Sequence, residues 1–130
     1  MGLTVRIKGY EGAYDCGYIT FDQFRYELAK AKFGEEFAGA YRSWQYGLTH
    51  YDSDVLDSHD SDPVATLLFS ADYDGKFTPR ECRAIYESIK DLHMDMIGHN
   101  YGDMKPYNML ERWKDMFLYC ARHRVNMYFT

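Results

Sequence analysis

"SADYDGKFTPRE", residues 70–81, decides how the middle of this chain is read. Asp72 and Asp74 alternate, Gly75 follows, and Glu81 closes the stretch. A calcium loop of the EF-hand type takes oxygens from its first, third and fifth residues, a backbone carbonyl from its seventh and a glutamate from its twelfth, with glycine at the sharp turn. In that register Ser70, Asp72, Asp74, Lys76 (through its backbone carbonyl) and Glu81 are the candidate Ca²⁺ ligands. Ser70 stands where aspartate is usual, and no second loop of this kind exists to pair with it. A second reading needs no metal. "DYDG" is a turn whose glycine supplies positive φ, and Thr78-Pro79-Arg80-Glu81 is a helix start with cap, first-turn proline and capping-box glutamate.

Both readings require helices on either side, so the spacing predicts an EF-hand-like helix-loop-helix over 63–97. Asp62-Pro63 starts the entering helix, "PVATLLF". After the loop, Cys82, Ile85, Ile89, Leu92 and Met96 recur at spacings of three and four, and Gly98 supplies a stop. Further on, Pro106 sits near the start of a last helix whose stripe is Leu110, Trp113, Phe117 and Cys120.

Toward the N-terminus, "LTHYDSDVLDSHDSD" (48–62) reads as a loop, because Ser and Asp compete with the backbone for hydrogen bonds. Two helices precede it. One opens at Thr20, with Gln23 completing a capping box, and buries Phe21, Phe24, Leu28 and Ala31 before Gly34. The other, 35–46, carries Phe37, Tyr41 and Trp44. At the ends of the chain, Leu3, Val5 and Ile7 alternate with polar residues, as do Val125, Met127 and Phe129, which reads as half-buried strands. "EGAYDCGY" (11–18) suits a turn and a short return strand. The sum is a single domain, 1–130, of the α+β class. About four helices pack on a small sheet in which the terminal strands pair.

Composition narrows the function classes. Hydrophobic residues make up 46% and aromatics 18%, which is a folded chain rather than a disordered one. Thirteen tyrosines suit half-buried positions and contact surfaces. The net charge of −5 is concentrated, since residues 51–75 hold seven Asp and no Lys or Arg. That argues against nucleic acid as a general partner, which needs a basic field, and leaves room only for a small basic patch. The start "MGLTVRIK" has no secretory pattern, "VATLLF" is too short to span a bilayer, and three widely spaced cysteines suit a reducing compartment. The expectation is a cytoplasmic protein with no membrane segment.

Within 50–62, His50, His59 and five aspartates cluster, but their spacing matches no metal site. A docking surface for a basic protein is the better reading, with Asp52, Asp54, Asp57 and Asp60 as its contacts. Cys120 and His123 are three apart on one helix, yet Cys120 falls on the apolar stripe and so is an inert thiol. No acid, base and nucleophile converge, which argues against an enzyme.

The run "DPVATLLFSADYDGKFTPRECRAIYESI" resembles the core of a group of small bacterial and phage proteins that carry H-S-D-C-D-G followed by P-E-x-C. Here Ser70, Ala71, Asp72, Tyr73, Asp74 and Gly75 occupy the six positions, and Pro79, Glu81 and Cys82 follow. "YDCGYITFDQFR" and "VNMYF" are similar to flanking stretches of the same group. Ser70 and Tyr73 replace its His and Cys, which removes the soft ligands of a zinc-like loop. The resemblance implies a bacterial or phage origin and gives no activity. The functional expectation is therefore a non-enzymatic protein-interaction domain. A calcium-binding or calcium-stabilised module stands second, and an inhibitor of a host bacterial system, if the chain is phage-encoded, third.

Overall fold

A computed structural model describes residues 2–10, 14–48, 50–70, 75–99 and 104–130. Strands β1 (Gly2–Ile7) and β2 (Tyr14–Gly17) lead into helices α1 (Tyr18–Phe33), α2 (Glu35–Gln45), α3 (Ser53–Asp57) and α4 (Val64–Leu68). Then come β3 (Gly75–Phe77), α5 (Pro79–Ile89), β4 (Ile97–His99), β5 (Pro106–Asn108), α6 (Met109–His123) and β6 (Met127–Phe129). The class is α+β, as the sequence predicts.

The main sheet has the order β2-β1-β6-β3, and every neighbouring pair is antiparallel. The terminal strands do pair, with Val5 opposite Phe129 and Ile7 opposite Met127. Strand alternation then separates the two faces. Leu3, Val5, Cys16, Phe77, Met127 and Phe129 are buried beneath the helices. Half-buried Thr4 and exposed Arg6, Asp15, Lys76 and Tyr128 lie on the other face. β4 and β5 form a separate two-stranded ribbon.

Trp113 of α6 is the hub of the core. Phe21 and Phe24 of α1 stack on its ring at 5.5 and 5.8 Å, and Phe129 meets it edge-on at 5.9 Å. One aromatic side chain thus joins α1, α6 and the sheet. Leu110, Phe117 and Cys120 are fully buried beside it, which is the stripe the sequence predicts. Ala31, expected on the buried face of α1, is exposed, and Ala29 is buried in its place. Helix α1 begins at Tyr18 with Gly17 as its cap residue, ahead of the expected Thr20. Gln23 makes no capping box; it donates to Glu27 at 3.0 Å and accepts from Arg42 at 2.6 Å.

Other expectations are changed as well. The 48–62 segment contains α3, so six helices occur among the described residues rather than four. Helices α4 and α5 do flank the 70–81 stretch, but α4 has only five residues and the stretch also carries β3, hydrogen-bonded to β6. Helix α5 stops at Ile89, with Lys90 as its C-cap. Leu92, Met94 and Met96 still pack on the core, but from an extended segment, because the α6 side of the molecule takes its carbonyls. Lys114 Nζ donates to Leu92 O at 2.5 Å, Asn108 Nδ2 to Met94 O at 2.6 Å, and the Met109 amide to Met96 O at 2.9 Å. Finally, Pro106 belongs to β5, and the last helix begins three residues later with Asn108 as its cap.

Candidate interaction site: an acid-rimmed groove between α2 and α3

The acidic segment folds because two of its aspartates bind backbone amides. Asp52 Oδ1 accepts from the Asp54 and Val55 amides at 3.0 and 3.2 Å, capping α3. Asp62 Oδ1 accepts from the Val64 amide at 3.0 Å and from Ser88 Oγ at 2.6 Å, while Lys32 Nζ stands 3.7 Å from Oδ2. Asp54, Asp57 and Asp60 remain exposed. All four aspartates predicted to bind a partner are thus exposed, and Asp52 is in addition a structural cap.

Two anchors fix this acidic helix to the body. Leu56 is buried, and the His59 ring stacks on Phe33 with centroids 4.1 Å apart and planes 11° from parallel. His59 also meets Phe37 edge-on at 5.6 Å. Between α2 and α3 this leaves a groove of about 340 Å³. Phe33, Phe37, Val55 and His59 form its apolar base, and exposed Glu36, Asp54 and Ser58 form its rim. Carboxylates above aromatic rings favour a cation, by charge at the rim and by the ring quadrupole at the base. Sequence reasoning placed Phe37 on a core stripe and His59 in a solvated loop. The one local hint was the Phe33-x-x-x-Phe37 spacing across Gly34.

The aromatic row extends away from the groove along α2. Phe37 stacks on Tyr41 at 6.2 Å, Tyr41 on Trp44 at 5.6 Å, and Trp44 meets Phe69 at 4.8 Å. Tyr41 donates its hydroxyl to Leu68 O at 2.5 Å, and Arg25 donates to Leu68 O and Ser70 O at 3.3 and 2.8 Å. These bonds satisfy carbonyls that the short α4 leaves open at its end. Burial pushes the Tyr41 hydroxyl pKa upward, so it stays a neutral donor. The tyrosine excess is partly explained here: Tyr41 is a core strut, whereas Tyr46 and Tyr51 are exposed.

The candidate calcium ligands lie beyond this row. Ser70 Oγ donates to Leu67 O at 2.9 Å, and Lys76 sits in β3 opposite Tyr128. Glu81 Oε1 accepts from the Thr78 amide at 3.0 Å, and Thr78 Oγ1 accepts from the Glu81 amide at 3.2 Å, the full capping box. Asp72 and Asp74 lie outside the described residues. Among the described residues no group of three or more His, Cys, Asp or Glu side chains is arranged to hold a metal ion.

Other clusters of chemistry-bearing groups among the described residues lie apart from one another. Cys120 is fully buried, and its thiol shares a hydrogen bond with that of Cys82. That bond raises the Cys82 pKa and lowers that of Cys120. His123 is exposed and stacks on Tyr119 at 4.0 Å. A larger cleft of about 590 Å³ lies between α1 and residues 93–96, lined by Gln23, Glu27, Lys30, His93 and Asp95. His93, Asp95 and Lys30 in it are exposed, a wet surface rather than a desolvated centre. No helix among the described residues is long and apolar enough to cross a membrane. Comparisons of the chain with protein-family models, with curated proteins and with solved structures find no match.

Proposed function

We propose that this protein is a non-enzymatic interaction domain that receives a basic segment of another protein in the α2–α3 groove. The observation that carries the reading is the stacked Phe33–His59 pair, edged by Phe37, beneath the carboxylates of Glu36 and Asp54. An arginine entering there stacks its guanidinium plane on the rings and meets a carboxylate at the rim. The acidic helix around it, with Asp57 and Asp60, raises the encounter rate of a cationic partner at low salt. Buried thiols at Cys16, Cys82 and Cys120 accord with a reducing, cytoplasmic setting.

An NMR titration with a short peptide of alternating Arg and Leu tests this. Shifts concentrated at Phe37, Val55 and His59 are expected, with about tenfold weaker binding once Glu36→Gln and Asp54→Asn remove the rim charges. Shifts spread evenly over the surface, or affinity unchanged by both substitutions, would remove the groove from the function.

A further inference from the structure

The outer face of the sheet exposes Arg6, Asp15, Lys76 and Tyr128, and its register aligns three side chains in one row. Arg6 of β1 pairs with Tyr128 of β6, and Tyr128 pairs with Lys76 of β3. Neighbouring strands run about 4.8 Å apart, so the two cations flank the tyrosine on either side of a patch roughly 10 Å wide. Tyr128 is 44% exposed, and its hydroxyl accepts from Asn126 Nδ2 at 2.9 Å, which orients the ring. Arg6 Nε reaches Thr130 Oγ1 at 3.4 Å, and neither Arg6 nor Lys76 pairs with a carboxylate among the described residues. The next row holds Asp15, whose carboxylate accepts the Thr4 hydroxyl at 2.7 Å. The aromatic–cation row thus stands beside a line of hydroxyls with one committed carboxylate.

From this row we infer that the outer sheet face binds single-stranded nucleic acid, one base stacking on Tyr128 and the phosphates on either side meeting Arg6 and Lys76. An open sheet with an exposed aromatic ring offers a stacking platform to any base, and flanking long cations follow a backbone without reading sequence. An acidic peptide would use the cations but leaves the tyrosine face without a planar partner. A duplex is disfavoured because its bases are already stacked and two cations on a chain of net charge −5 displace few counterions. The site is small and independent of the α2–α3 groove, since it draws on the sheet rather than the helices and on the opposite sign of charge.

Fluorescence anisotropy with labelled oligothymidylate and oligouridylate tests the inference on the intact chain. Saturable binding is expected with a log–log salt slope of about −1.4, for two phosphates at about −0.7 each. Tyr128→Ala should weaken it by about tenfold or more while Tyr128→Phe keeps it, as stacking requires. Arg6→Gln with Lys76→Gln should flatten the salt slope. Both cations are exposed, so that double variant keeps the test valid even if Tyr128→Ala perturbs the fold. No saturable binding at millimolar protein, full affinity in Tyr128→Ala, or equal displacement by polyglutamate would each overturn it, the last pointing to an acidic protein instead.

Discussion

The two acid-rich segments, 52–62 and 70–81, look alike in sequence, and in both a helix start claims a carboxylate. In the first, Asp52 and Asp62 hold helix amides while Asp54, Asp57 and Asp60 face solvent. In the second, Glu81 is engaged by the Thr78 amide within a complete capping box. Backbone amides at helix starts are obligatory donors, and a nearby oxygen satisfies them before any ligand arrives. A count of acidic residues therefore overstates what is open to a partner, and the exposed remainder in 52–62 is the part with functional reach.

The largest expected effect comes from Asp62, which makes the most contacts. Asp62→Ala removes the Val64 amide cap, the Ser88 bond and the Lys32 contact together. A loss of about 2 kcal/mol is expected in urea denaturation, with an unchanged m-value. A loss under about 0.5 kcal/mol would mean that this aspartate is as dispensable as its exposed neighbours and would break the division drawn above. Next come the simple caps. Thr78→Ala and Asp52→Ala should each cost about 1 kcal/mol, and Thr78→Ser and Asp52→Asn should recover most of it, because those replacements still accept from the same amides.

Glu81 gives a smaller effect and sharpens the comparison most directly. Glutamine also completes a capping box, so Glu81→Gln should cost only about 0.5 kcal/mol or less. Millimolar Ca²⁺ should shift the melting temperature of neither protein if the carboxylate serves the helix alone. A rise in the wild type that Glu81→Gln abolishes would instead make Glu81 a ligand, with Asp72 and Asp74 as its natural companions.

Much of this division could be read from sequence because it is local. Thr78-Pro79-x-Glu81 specifies its cap within four residues, and the terminal strands reveal their buried faces through alternation at Leu3, Val5, Met127 and Phe129. What escaped depends on distant partners. Gly75-Lys76-Phe77 is too short to register as a strand and exists by pairing with β6. Leu92 and Met96 continue a helical spacing, yet Lys114, Asn108 and Met109 draw that segment out by hydrogen bonds. The groove needed Phe33, at the end of α1, to meet His59, just beyond α3, which no spacing encodes. Of its rim, Asp54 was legible; Glu36 and the aromatic base were not.

The smallest stability effect should accompany the largest functional one. Asp54, Asp57 and Asp60 are exposed, so the triple change to Asn should alter stability by no more than about 0.5 kcal/mol. Asp54 lies in the first turn of α3, where losing its charge forfeits a favourable helix-end interaction. Relief of mutual repulsion among the three offsets that loss, both terms being a few tenths of a kcal/mol. Binding of the Arg-Leu peptide should nonetheless weaken about tenfold at low ionic strength, and wild type and variant should converge as salt approaches 1 M, where screening acts within about 3 Å. A triple variant that loses stability but keeps the peptide would reverse the assignment, making these aspartates structural and leaving the groove's aromatic base as the whole of the recognition.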